Sequence, residues 1–238
     1  MDSVASKPTI GLTLINRPSV CQCGLAAAAA WHQGWEQMNR NVERGQATRT
    51  QLIEVATGLF ATRGYEGTSI EAVLAESGAS RGSLYHHFAG KDEILATLFN
   101  EAMDELISAS AAVYDDPHRE LDRLIRHHVE FSTSNRHLVN VYQREDRSLV
   151  EPWRRHFDRR TRQYASRWED TLRRCFPDAS DTHIVAATQA ALGLIHSVAY
   201  WPAKIIRADE DLPDFLCRLV TEGLSTLGTP AAAAQPSS

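Results

Sequence analysis

The sequence predicts an all-α fold: three short helices, then a larger helical bundle. Apolar residues recur at three- and four-residue spacing from Leu52 to Leu227, the period of one helix face. Gly64, Gly78, Gly90, Pro117, Pro177 and Pro202 punctuate that pattern at plausible helix lengths. No run alternates in the manner of a strand, and no internal repeat is visible. The chain has 238 residues, 43% hydrophobic and 23% charged, an ordinary globular balance that can bury a core without disulfides or metals.

In chain order, residues 1–43 carry few charges, an alanine tract (Ala26–Ala30) and no sustained apolar period. They read as a disordered or loosely ordered extension, with Met38 a candidate natural start and residues 1–37 dispensable. Leu52, Val55, Ala56, Leu59 and Phe60 form the face of a first helix that Gly64 ends. Thr68 offers an N-cap hydroxyl, with Glu71 completing a capping box for a second helix to about Ser77. After Gly78, Ser80 caps a third helix carrying Leu84, Tyr85 and Phe88. A long helix from Asp92 to about Val113 follows, then one after Pro117 through Val129, and a short one around Leu138–Tyr142. Trp153 to Cys175 is a long amphipathic stripe. Asp181 caps the next helix, which runs to Trp201, and Leu212–Leu227 forms the last of about nine. The organisation is thus an extension (1–43), a three-helix unit (44–91), a helical bundle (92–228) and a disordered tail (229–238).

Several function classes are excluded. Four scattered cysteines do not make a secreted disulfide scaffold. The Cys21-Gln22-Cys23 pair, with only His32 nearby, lacks zinc spacing, so no metal or other cofactor is expected. No apolar run approaches a membrane span, and a cytoplasmic location is expected. No glutamate has a histidine three residues later, which removes the di-iron bundle, and no Gly-rich phosphate loop occurs. An enzyme is not expected.

Residues 46–89 fit a helix-turn-helix, with Glu76-Ser77-Gly78-Ala79 as the turn and a third helix that opens on small and polar residues. The motifs Arg63-Gly64-Tyr65, Gly67-Thr68-Ser69-Ile70, Ser80-Arg81-Gly82-Ser83-Leu84-Tyr85-His86-His87-Phe88 and Lys91-Asp92-Glu93-Ile94-Leu95 stand in order within Thr50–Leu95. This stretch resembles the TetR/AcrR family of transcriptional regulators. The resemblance implies a homodimeric repressor whose C-terminal domain binds a small molecule and releases an inverted-repeat operator. It implies phosphate contacts by Thr68, Tyr85, His86 and Lys91, base-edge positions at Ser80, Arg81, Gly82 and Ser83, and core roles for Phe60, Ile70, Leu84 and Phe88. Leu74, Ser77 and Ala79 depart from the family's usual alanine, alanine and valine.

Charge alone does not advertise nucleic acid. The net charge is −5, and Arg44–Leu95 holds five cations against six carboxylates. DNA binding therefore requires Arg44, Arg49, Arg81 and Lys91 to share a surface, helped by helix N-terminal amides; the bland reading of each is a solvated charge.

In the second half, Arg144–Arg174 contains ten arginines and six acids. Two readings stand: a charged outer face, or arginines that clamp an anionic effector such as an acyl-CoA. Tyr142, Trp153, Phe157, Tyr164 and Trp168 are candidates to line an effector tunnel, with His127, His128 and His196 as donors; plain core packing is the rival. Small residues among the last two helices (Ala187, Ala191, Gly193, Gly223) suit a dimer interface. Against the regulator reading stands an all-α binding or interaction protein that never touches DNA.

Overall fold

The structure, a computed structural model, describes residues 22–208 and 211–228. The first 21 residues and the 229–238 tail lie outside it, so Cys21 and the N-terminal part of the expected extension are not described. The chain divides into two compact units, residues 1–47 and 48–238. Helix α1 is assigned over Gln22–Arg63, so regular structure begins earlier than the periodicity suggests: alanine, glutamine and glutamate favour helix without supplying an apolar stripe. In the first unit Trp35, Met38 and Val42 are exposed, and Arg40 pairs with Glu36 at 3.6 Å.

In the second unit, Leu52, Ala56, Leu59 and Phe60 of α1 are buried. Gly64, at φ 78°, turns the chain out of α1, a conformation that suits glycine. Helix α2 (Ile70–Ser77) is capped by Ser69, whose Oγ accepts the Ala72 N–H. The expected cap, Thr68, is instead buried and donates its hydroxyl to the Gly64 carbonyl at 2.8 Å. The adjacent serine meets the helix N-terminus because its backbone is extended there. Gly78, at φ 68°, closes α2, and α3 (Arg81–His87) starts on the Ser80 cap.

Two of the residues that depart from the family pattern brace this turn. Ser77 Oγ accepts the Ala79 N–H, and the Ser77 carbonyl accepts from Gln51 Nε2 at 2.9 Å. Leu74 and Ala79 both pack, half-buried, against the core.

The bundle comprises α4 (Lys91–Ala109), α5 (Pro117–Ser134), α6 (Arg136–Glu145), α7 (Trp153–Cys175), α8 (Asp181–His196), α9 (Ala203–Ala208) and α10 (Leu212–Ser225). Helix α5 packs on α7 and α10, α4 packs on α7, and α8 packs on α7 and α10. Short α9 was not anticipated, because Lys204-Ile205-Ile206 spans barely a turn and shows no period. The α8 cap is Ser180, one residue before the expected Asp181. Every regular element among the described residues is helical. The core is a single buried cluster that runs from Leu52 to Leu224.

Candidate nucleic-acid interface and internal cavity

Helix α3 has two faces. Leu84 and Phe88 are buried, while Arg81, Gly82, Tyr85 and His86 are exposed. Residues four apart on a helix are neighbours, so 81 with 85 and 82 with 86 form one outward patch at the helix start. Ser80 Oγ accepts the Ser83 N–H at 3.0 Å, which leaves Ser83 half-buried beneath the patch. The Arg81 guanidinium meets Glu71 of α2 at 2.8 Å, with both side chains more than half exposed. This pair orients Arg81 without withdrawing it from solvent. A Cβ at Gly82 would meet nothing nearer than Ser80 Oγ at 4.0 Å, so the fold itself does not ask for glycine there.

The other expected contact residues are engaged within the protein. Thr68 is buried, as described, and its side chain is unavailable to a phosphate. Arg49 donates to Glu101 of α4 at 2.6 Å and lies 5.6 Å from the Phe88 ring centre. Lys91 is largely covered: Nζ donates to the Tyr65 carbonyl at 2.9 Å and sits 4.1 Å from the Tyr65 ring centre. Arg44 is exposed on the first unit. The sequence reading thus groups two kinds of residue, since a cation's type and spacing do not reveal its internal partner.

Tyr65 gathers contacts from both halves of the second unit. Its backbone N–H donates to Glu145 of α6 at 3.1 Å, its carbonyl accepts from Lys91, and its hydroxyl donates to Asp92 of α4. Arg144 adds a hydrogen bond to the Ala61 carbonyl at 3.3 Å. Burial, then the Asp92 carboxylate, pushes the Tyr65 hydroxyl well above the usual phenol range, so it stays protonated and able to donate. No sequence signal marks Glu145 for this role; it reads as one charge among many.

The walls of an internal cavity of about 90 Å³ come from α4, α5, α6, α7 and α8. Phe99, Met103, Leu106, Phe131 and Leu192 give it an apolar body. One end is polar. His128 Nδ1 lies 2.9 Å from the Tyr164 hydroxyl, His128 Nε2 lies 3.0 Å from His196 Nε2, and His196 Nδ1 lies 3.1 Å from Gln143 Nε2. Burial, reinforced by neighbouring His196, drives the His128 pKa well below the ordinary imidazole value. Burial also lowers His196 to about 4. Both rings are neutral at pH 7, as burial without a carboxylate beside them requires.

Of the expected residues, Tyr142, Phe157, Tyr164, His128 and His196 do line the cavity. Three do not. His127 points elsewhere, because successive helix residues are turned by ~100°, and its neighbour His128 takes the place. Trp168 is wholly buried and packs edge-on against His128, with ring centres 5.9 Å apart. Trp153 is half-buried on the outside of the core. No arginine lines the cavity. Arg160 pairs with Asp104, Arg173 with Asp181 and Asp170, and Arg167 and Arg174 converge on buried Glu120. Arg160, Arg167, Arg173 and Arg174 of α7 therefore tie helices together, which fits the charged-face reading of these four rather than a clamp at this cavity.

Comparison with known proteins now bears on these two sites. The profile described as bacterial regulatory proteins, tetR family, matches residues 52–98, and the tetracyclin repressor-like C-terminal domain matches residues 114–203. The transcriptional repressor KstR2 of Mycobacterium tuberculosis is 30% identical over 146 residues, 57% of this chain and 70% of that relative. The chain belongs to the TetR family of bacterial regulatory proteins. It is a DNA-binding regulator of that family, and its relatives are transcriptional regulators rather than enzymes. A tetR-family regulatory protein from Rhodococcus RHA1 shares the fold at TM-score 0.66 and 22% identity, covering 76% of this chain and 97% of that one. So does AibR, solved in complex with isovaleryl coenzyme A and operator DNA, at TM-score 0.62 and 21% identity over 77% of this chain and all of that one.

Gly78-Ala79-Ser80-Arg81-Gly82 has the Gly-x-Ser-x-Gly spacing of a hydrolase nucleophile elbow. That motif needs a strand before it and a histidine beside the serine. Here α2 precedes it, and Ser80 is spent on the helix cap. Among the described residues no helix is long and apolar enough to cross a membrane, and no cluster of three or more potential ligands could hold a metal.

Proposed function

We propose that this TetR-family protein is an effector-responsive repressor. It binds an inverted-repeat operator as a homodimer and leaves it when a small lipophilic molecule fills the α4–α8 cavity. In this reading Arg81, with Gly82 and Ser83, faces base edges, and Tyr85 and His86 lie on phosphates. Action on DNA places it in the cytoplasm.

The observation that carries the reading is the convergence on Tyr65. Helices α4 and α6 both wall the cavity, and both end in contacts with that residue, which follows the first helix of the DNA-binding unit. A ligand that displaces either helix alters how the recognition helix is held. Only preferential binding to the DNA-incompetent state releases DNA; a coupling of ~1–3 kcal/mol changes operator affinity ~5–150-fold.

Dimerisation through α8 and α10 is supported by exposed Val185, Phe215 and Leu219 beside a shallow groove floored by Ala186, Ala190 and Gly223. A two-fold operator needs two recognition helices ~34 Å apart. The isovaleryl-CoA in AibR supports an acyl thioester as effector. Here its acyl part would enter the cavity, and its charged part would remain outside the described lining.

Selection of bound genomic fragments, followed by titration of acyl-CoAs of increasing chain length into the complex, tests this. Sequence-selective binding and chain-length-dependent release are expected. Equal affinity for every fragment would favour a helical binding protein that does not act on DNA.

A further inference from the structure

The polar end of the cavity has a direction. Gln143 is exposed, and its amide N–H donates to His196 Nδ1. With the Gln143 amide oriented as it is here, His196 carries its proton on Nε2, which donates to His128 Nε2. His128 in turn carries its proton on Nδ1 and donates to the Tyr164 oxygen. The relay runs from the surface to Tyr164, whose own O–H is left to donate. No described residue accepts it, and Tyr164, only 5% exposed, lines the cavity. Tyr142, the other phenol of the lining, likewise has no anion beside it within the cavity.

We propose that the buried part of the effector is uncharged and carries a carbonyl, of a ketone, ester or thioester, that accepts the Tyr164 O–H. This deepens the proposed function and rests on the reading of the cavity as the effector site. Two further observations support it. The lining contains no lysine, arginine, aspartate or glutamate, and burial holds both imidazoles neutral. A buried carboxylate would face only neutral dipoles, a heavy desolvation cost. A ligand that is pure hydrocarbon would leave the phenol donor unpaired in a dry site.

The test uses 2-hexanone, hexanoate and hexane, with binding to the full-length protein, free of DNA, followed by NMR at pH 7.5. The expected order is 2-hexanone tightest, with hexanoate at least about tenfold weaker by the cost of burying its charge. Tyr164→Phe should weaken 2-hexanone about three- to tenfold, the worth of one neutral hydrogen bond, and leave hexane unchanged. The hexane affinity shows whether that variant keeps a formed cavity. Hexanoate binding as tightly as 2-hexanone, a Tyr164→Phe protein with undiminished ketone affinity, or no binding by any of the three would overturn the proposal. Operator binding, measured separately on the free protein, reports on the repressor reading, so the two can fail independently.

Discussion

The start of α3 and the α4–α8 cavity are built on opposite logic. At α3 a few consecutive residues do everything: Ser80 caps, Leu84 and Phe88 anchor, and Arg81, Gly82, Tyr85 and His86 face outward. At the cavity, five helices contribute two to four residues each, and the polar end joins α5, α6, α7 and α8. Damage to the first should therefore cost DNA binding without costing stability. Damage to the second should reach the fold.

Trp168→Ala should give the largest effect. The side chain is wholly buried behind the His128–Tyr164 pair, and loss of a buried tryptophan costs ~3–5 kcal/mol. Denaturant unfolding should show that loss directly. A Trp168→Ala protein of normal stability with only a blunted ligand response would return this residue to the cavity wall.

Acid should act next. His196 has its pKa lowered to about 4 by burial, and burial also lowers His128 well below the ordinary imidazole value; in the unfolded chain both return to ~6.5. The unfolded state thus binds more protons over this range, and stability falls as pH drops from about 6.5 to 4 and is flat above. For His196 this is at most ~3 kcal/mol, from 1.36 kcal/mol per unit, and less because the ring is still partly accessible. Urea midpoints between pH 7.5 and 4.5 should fall, and His196→Gln should flatten part of that slope. An unchanged slope in His196→Gln would remove His196 from the relay.

Arg81→Ala is expected to cost ~1–3 kcal/mol of operator affinity and relax preference at one base position, with an unchanged melting temperature. Unaltered sequence preference would make Arg81 merely Glu71's partner. Gly82→Ala is the finest probe. Nothing in the chain opposes a Cβ there, and the helix gains up to ~1 kcal/mol from alanine, so stability should hold or rise while operator affinity drops. Full DNA binding by Gly82→Ala would mean that no close approach occurs at that residue.

The difference in logic also decides what could be read from sequence. The α3 patch was legible because a cap, a turn glycine and two anchors lie within a dozen residues and follow local rules. Thr68 was misplaced by one residue, since either of two adjacent hydroxyls can cap and only the backbone geometry chooses. Phe99, Met103 and Leu106 were legible as apolar but not as cavity wall, because a wall position and a core position look alike along one helix. His127 and His128 are adjacent, and only tertiary packing says which ring turns inward. Arg160, Arg167 and Arg174 look like ligand groups because their partners Asp104 and Glu120 lie far away in sequence. Tyr65 stands inside a local motif, yet its partner Glu145 is 80 residues away.

The central claim is that the cavity and the recognition helix are linked through Tyr65. Coupling of binding free energies is reciprocal, so it is read most directly by measuring the affinity of one cavity ligand, 2-hexanone or a short acyl-CoA, for free and for operator-bound protein. The account predicts binding ~5–150-fold weaker on the operator-bound protein, with the ratio shrinking toward unity in Glu145→Gln, which weakens the bond to the Tyr65 N–H. Equal affinity in both states, with the ligand shown to occupy the cavity, would contradict it.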